Sequence, residues 1–162
     1  MDAIELLTQQ HRSLEARLAA IEEADSAAGK ARALALAADE LSVHLASEEQ
    51  VFYPAVKAKR TEDILLESLE EHLSLKRVLA DLLELAPDAP TYDAKLHVLK
   101  EQAEHHHEEE EEHLFPKVMG LLDAEERRQL GQQMLQLQQR LMREGRPREE
   151  VAQQTDQATP LQ

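Results

Sequence analysis

The sequence predicts an all-α fold: an up-down-up-down bundle of four helices followed by a short fifth helix at the C-terminal end. Three observations predict it. Glycine and proline are few, 4 and 6 in 162 residues, while Ala, Leu, Glu, Gln and Arg, all good helix formers, dominate. Apolar residues recur at steps of three and four through five stretches joined by short turn segments. In each of the first four stretches one histidine falls in phase with the apolar stripe.

The first helix is expected over 2–23, with Asp2 as N-cap and a stripe of Ile4, Leu7, Leu14, Leu18 and Ile21 that His11 interrupts in phase. A turn ending at Gly29 leads to a second helix over 30–59, whose face is Leu34, Ala37, Leu41, His44, Glu48, Val51 and Phe52. Pro54 lacks an amide hydrogen and clashes with the carbonyl four residues back, so a bend is expected there. Thr61 should cap a third helix over 62–85, with Leu65, Leu69, His72, Lys76, Leu79 and Leu83 on one face. The segment Pro87-Asp88-Ala89-Pro90 ends it. The fourth helix, over 92–119, turns Leu96, Leu99, Ala103, His106, Glu110 and Leu114 inward. His97 points away, and His105 and His107 each lie about 100° off that stripe. A shorter fifth helix over 123–143 carries Leu130, Met134, Leu137 and Leu141. The expected organisation is a bundle over 1–120, an accessory helix over 121–144, and a tail over 145–162 that lacks periodicity and is expected to be disordered.

Composition narrows the function. Cysteine is absent, which excludes disulfides and thiolate metal sites, so any metal must be held by nitrogen and oxygen. A net charge of −15, a pI near 4.9 and no Lys/Arg cluster argue against nucleic acid and anionic lipid as partners. The opening MDAIELL is acidic and amphipathic rather than a secretory signal, and no apolar run is long enough to span a membrane. A cytoplasmic protein is expected.

Two segments carry chemistry. His44, Glu48, Glu49 and Pro54 recur 62 residues later as His106, Glu110, Glu111 and Pro116, giving His-x-x-x-Glu-Glu, four residues, then Pro. A four-residue step turns a helix by about 400°, so each pair can aim an imidazole and a carboxylate at one spot. A lone inward histidine is ordinarily a hydrogen-bonded core residue. Six polar groups on four helices, His11, His44, Glu48, His72, His106 and Glu110, are different, because each costs several kcal/mol in a leucine core unless paired or metal-bound. One zinc ion would use four and leave two idle, whereas two ions with shared carboxylates use all six. Imidazole with carboxylate suits non-haem iron, with manganese as the alternative. Glu49 and Glu111 are placed to orient imidazole N–H bonds from behind. Lys76 can snorkel to solvent or pair with such a carboxylate. Phe52, Tyr53 and Phe115 either pack at one end of the bundle or give the metals a dry lining. Tyr53 as a phenolate ligand would need the bend at Pro54, since it lies about 180° from His44 on a straight helix.

The ferritin-like dimetal signature, Glu-x-x-His on two helices, is not met: His11, His44 and His72 have no glutamate three residues earlier. The segments HRSLEARL from His11, HLASEEQVFYP from His44, EEHLSLKRVL around His72 and HHEEEEEHLFP from His106 instead resemble the hemerythrin family, specifically the bacterial HHE cation-binding domains, over residues 2–120. The resemblance implies a four-helix bundle around a non-haem di-iron centre that binds or senses dioxygen, or reacts with reactive oxygen species, peroxide or nitric oxide, or handles iron. Two positions depart from the oxygen-carrying members. Lys76 stands where they have a second histidine one turn after that of the third helix, and His106-x-x-x-Glu110 replaces their His-x4-Asp. Four histidines rather than five imply a more open coordination sphere, suited to redox turnover.

Overall fold

The computed structural model describes all 162 residues, Met1–Gln162, and every regular element is helical. In chain order these are α1 (Ala3–Glu23), α2 (Ala27–Ser47), a π-helical turn (Glu48–Phe52), α3 (Tyr53–Val56), α4 (Glu62–Glu84), α5 (Tyr92–Glu109), a second π-helical turn (Glu110–Leu114), α6 (Phe115–Leu121), α7 (Ala124–Glu144), α8 (Pro147–Glu150) and a 3₁₀ turn (Val151–Gln153). The predicted all-α bundle is present. α1 packs on α2 and α4 on α5 as two hairpins, and α7, with 21 residues as long as α1, lies across α1 and α2. No helix is long and apolar enough to cross a membrane.

The helix starts follow local chemistry. Asp2 and Glu5 form a reciprocal capping box at α1, and Asp123 with Glu126 repeats it at α7. Ser26 accepts from the Gly29 amide at 3.0 Å, so α2 begins three residues before the expected Lys30. Thr61 stands at the N-cap of α4 but does not cap it. Its hydroxyl bonds back to Val56 and Ala58 and ties the preceding turn instead.

The bend expected at Pro54 takes another form. The Tyr53 amide donates to the Glu48 carbonyl and the Phe115 amide to the Glu110 carbonyl, each five residues back. A proline ring would strike the carbonyl four residues before it. Widening the helix just ahead of Pro54 and Pro116 moves that carbonyl aside. The cost is one extra residue in the turn, which shifts everything after it by about 100° relative to a straight helix.

The apolar core is divided. One cluster gathers Leu14, Leu18 and Ile21 with Leu34–Leu45, Leu75–Leu82 and Tyr92–Ala103 positions. The other gathers Ala3, Leu6 and Leu7 with Phe52, Tyr53, Leu65, Leu69, Leu114, Phe115 and part of α7. Between them lies the histidine layer. α7 seats Leu130, Met134 and Leu137 against the bundle, and Gly131 lets it touch the start of α1: a β-carbon there would sit 2.9 Å from the Ala3 nitrogen.

The tail expected to be disordered lies instead against the bundle. Val151 enters the first apolar cluster, while Ala158 and Leu161 pack on the second. Arg148 pairs with Asp39 at 3.0 Å, Arg77 donates to the Thr155 and Asp156 carbonyls, and Thr159 donates to Glu49 at 2.8 Å. These anchors are single residues at irregular spacing, so no periodicity announces them.

Candidate metal centre

His11, His44, Glu48, His72, His106 and Glu110 converge between the two apolar clusters, each at most 1% exposed. The stripe phase that predicts them is therefore the phase the helices adopt. His11 Nε2 lies 3.2 Å from Glu110 Oε1, and His44 Nε2 3.3 Å from Glu48 Oε1. On the other side, His72 Nε2 lies 3.3 Å from Glu48 Oε1 and His106 Nε2 3.4 Å from Glu110 Oε1. Both carboxylates thus reach both pairs of imidazoles. Two donors held at about 2.1 Å by one metal ion sit roughly 3.0–3.4 Å apart, so these spacings suit ions between them. Three overlapping groups could hold a metal: His11, His44 and His107; His11, His44, Glu48 and Glu110; and Glu48, His72 and His106.

The imidazoles are oriented from behind. His11 Nδ1 meets Glu111 Oε2 at 2.8 Å, His72 Nδ1 meets Glu49 Oε2 at 2.7 Å, and His106 Nδ1 meets Glu71 Oε1 at 2.7 Å. A carboxylate only accepts, so each of these Nδ1 atoms carries a proton and Nε2 is the nitrogen that faces the centre. His44 Nδ1 meets the amide of Gln10 at 2.8 Å. Arg12 also pairs with Glu111. Glu49 and Glu111 therefore stand where the sequence puts them. Glu71 and Gln10, each one residue before an inward histidine, are not picked out by the stripe.

The donor set is unsatisfied without a cation. His11 Nε2, His44 Nε2, both oxygens of Glu48 and Glu110 Oε1 are buried with no hydrogen-bond partner, and apart from the Tyr92 hydroxyl no other side-chain atoms share that condition. His72 Nε2 and His106 Nε2 face each other at 3.1 Å, a contact that two bare nitrogens do not make without a proton or a cation between them. Burial and the charge of Glu110 push the Glu48 carboxyl up, and burial followed by the neighbouring charge on His11 pushes His44 well below the usual histidine range. Burial also works against ionised Glu110, but His106 and His11 outweigh it and hold that carboxyl well down. Glu48 and Glu110 are close enough for each to act on the other. A pair of divalent cations would neutralise them and use every exposed lone pair.

Two further residues enter the centre. His107, which the stripe excludes, is 1% exposed, stacks on His11 with ring centroids 4.0 Å apart, and lies within ligand distance of His11 and His44. Its Nδ1 lies 3.4 Å from Glu15. Burial and the adjacent His11 and His44 push it far below the usual histidine range. Tyr53 is fully buried, donates to Glu110 Oε2 at 2.8 Å, and has its oxygen 3.1 Å from His72 Nε2. The π turn explains its position: nine residues after His44 it would point about 180° away, and the extra residue brings it to about 80°. Phe115 stacks on His11, 5.9 Å between centroids, so the aromatic residues line the centre as well as fill the bundle end.

Lys76 does not reach solvent. It is 3% exposed and its Nζ lies 2.9 Å from Glu49, which also takes the His72 N–H and the Thr159 hydroxyl. Burial would raise the Glu49 carboxyl, but the His72 hydrogen bond and the Lys76 charge hold it at about 2. His97 and His105 are exposed, as expected.

The hemerythrin HHE cation-binding domain profile matches residues 2–118. The chain belongs to the hemerythrin HHE cation-binding domain family. The hemerythrin fold is shared with the crystal structure of a hemerythrin HHE cation-binding domain-containing protein from Mycobacterium kansasii, with a TM-score of 0.77 and 23% identity over 95% of this chain and 99% of that one. At that identity the likeness concerns the fold. No curated protein matches the chain. The hemerythrin profile ends before α7, so α7, α8 and the tail lie outside it.

Proposed function

We propose that this hemerythrin-family chain is a non-haem di-iron protein, with manganese as the alternative metal, that binds or senses dioxygen or reactive oxygen species. One observation carries the reading: Glu48 and Glu110 each reach imidazoles on both sides of a buried centre in which His11 Nε2, His44 Nε2, both Glu48 oxygens and Glu110 Oε1 have no hydrogen-bond partner. In this reading His11, His44 and His107 would hold one ion and His72 and His106 the other, with Glu48 and Glu110 available to both and the Tyr53 hydroxyl bonded to Glu110 beside them. An iron pair supplies one-electron steps and open positions for a small oxygen-containing ligand.

The chain's own residues do the rest. The apolar clusters on either side keep bulk water from the centre, which admits only small ligands. The Nδ1 hydrogen bonds fix which nitrogen each imidazole presents. With −15 net charge, neither nucleic acid nor an anionic membrane is a partner in this reading, and the cytoplasm is the proposed location.

A second reading, an enzyme acting on peroxide or nitric oxide, is favoured by Tyr53. Its hydroxyl holds a transferable proton on Glu110 inside the centre, which turnover needs and simple carriage does not. Protein purified with iron should contain two metal ions per chain, a count that Tyr53→Phe should leave unchanged. Spectra under dioxygen, peroxide and nitric oxide, with peroxide consumption followed in parallel, separate binding from turnover. A well-loaded preparation with one ion per chain would overturn the di-iron reading and leave iron handling or a structural bundle.

A further inference from the structure

Three of the four inward imidazoles are backed by carboxylates, which leave no doubt about where the proton sits. His44 is backed by an amide, and an amide presents an oxygen on one side and an NH2 on the other. The atom Gln10 turns toward His44 decides whether His44 shows the centre a lone pair or a proton. That choice can be traced, bond by bond, from a group with no choice at all.

The His44 backbone carbonyl can only accept, and Ser47 Oγ lies 2.8 Å from it, so the Ser47 hydroxyl proton is committed there. Ser47 Oγ must then accept from Gln138 at 2.8 Å, so the Gln138 atom facing it is Nε2. The second hydrogen of Gln138 Nε2 goes to Gln10 Oε1 at 3.0 Å, and Gln10 Nε2 returns a bond to Gln138 Oε1 at 2.6 Å. Gln10 Oε1 is thereby the atom at His44 Nδ1, 2.8 Å away, and it accepts. A flipped Gln10 would set NH2 against NH2 and oxygen against oxygen. Gln138 is buried, 5% exposed, and sits on α7, outside the hemerythrin profile.

We propose that Gln138 is a positioning residue for the metal centre: through Gln10 it locks His44 as the Nδ1–H tautomer and leaves Nε2 bare for a cation. The accessory helix thus acts on the centre without touching it. The inference rests on the reading of His44 as a metal ligand, and its primary test does not.

The test is nitrogen NMR on histidine-labelled, metal-free protein, in which protonated and bare ring nitrogens resonate far apart, together with zinc(II) titration as a diamagnetic probe. The native chain should show His44 protonated at Nδ1. Gln138→Met keeps the length and removes the donors. It should give a mixed or inverted tautomer and weaken zinc binding about 10- to 100-fold, the range for groups that orient a ligand. Gln139→Met, on the exposed side of α7, should change neither. If Gln138→Met does not fold, Ser47→Ala removes the origin of the polarity and should produce the same mixture. A native His44 protonated at Nε2, or an unchanged tautomer in the variant that folds, overturns the proposal. Zinc affinity indifferent to His44→Leu would instead sink the reading of His44 as a ligand.

Discussion

The two halves of the centre are built from the same plan and differ at four positions. An offset of 61 carries Gln10, His11 and Glu15 of α1 onto Glu71, His72 and Lys76 of α4. An offset of 62 carries His44, Leu45, Glu48, Glu49 and Tyr53 onto His106, His107, Glu110, Glu111 and Phe115. The hydrogen bonds obey the same relation: His44 to Gln10 mirrors His106 to Glu71, and His11 to Glu111 mirrors His72 to Glu49. The differences are Gln10 against Glu71, Leu45 against His107, Tyr53 against Phe115, and Glu15 against Lys76. Together they give one side three imidazoles, one of them backed by a neutral amide. The other side has two carboxylate-backed imidazoles and a phenol. Equivalent backbones thus present inequivalent donor sets, and a bound pair of ions should differ in affinity and redox potential.

The largest expected effect comes from removing what the halves share. On the di-iron reading, Glu48→Ala or Glu110→Ala should reduce metal content from the proposed two ions per chain to one or none. Either should also abolish the rise in melting temperature that metal gives the native protein, about 5–10 °C at a hundredfold excess over Kd. Metal analysis and thermal melts with and without chelator read both. Two ions retained in either variant would mean that the halves are separate sites.

Next comes Lys76, whose counterpart is a carboxylate. Lys76→Met leaves Glu49 buried without its ammonium and should cost about 3 kcal/mol, the lower end for a broken buried pair because His72 and Thr159 still bond Glu49. Denaturant unfolding of the metal-free protein measures it. A loss below about 1 kcal/mol would show the pair to be marginal.

His107→Leu makes that position match Leu45. It should weaken the binding of one ion about tenfold and leave the other unchanged, visible as a split in a zinc titration that was less resolved in the native chain. Equal weakening at both ions would contradict the assignment of His107 to one side.

The smallest effect lies at the helix starts. Asp2 caps α1 and pairs with Arg127 at 3.2 Å, whereas Asp63, its counterpart in α4, takes no part in a cap. Burial raises Asp2, but the Glu5 amide and Arg127 outweigh it and lower its carboxyl below the ordinary 3.8. A depressed carboxyl contributes stability that is present above its unfolded value and lost as pH falls through the folded one. Asp2→Asn should therefore cost under about 1 kcal/mol at neutral pH, and progressively less as pH falls through the lowered pKa of the folded carboxyl. Asp63→Asn, which removes no cap, should cost less at neutral pH.

The sequence made the bundle and six convergent groups legible because stripe phase is a local property of helices. It missed His107 because a helix in a bundle faces two neighbours, and its inward arc is wider than one stripe. The internal repeat held the missing signal, since His107 falls on Leu45, itself an inward residue. Tyr53 is legible only conditionally, because nothing but the nearby Pro54 hints at a π turn, and a single extra residue moves every later side chain. Gln138 and Thr159 were out of reach for a different reason. They come to the centre by docking of segments whose position depends on tertiary contact, which periodicity does not encode.

The divided core has a further consequence for how the molecule opens. α1 threads both apolar clusters, with Ala3–Leu7 in one and Leu14–Ile21 in the other, and His11 at the joint. α2 and its continuation into α3, α4, and α5 with α6 have the same arrangement. With Glu48 and Glu110 both buried in this layer and several of its polar atoms lacking a hydrogen-bond partner, the metal-free protein should open as two cooperative blocks hinged on a weak seam. Amide hydrogen exchange should then show the two ends protected to different depths, with the residues around the histidine layer exchanging early. Metal should merge them into one unit. Bound ions would, in this sense, serve as a rivet between two cores.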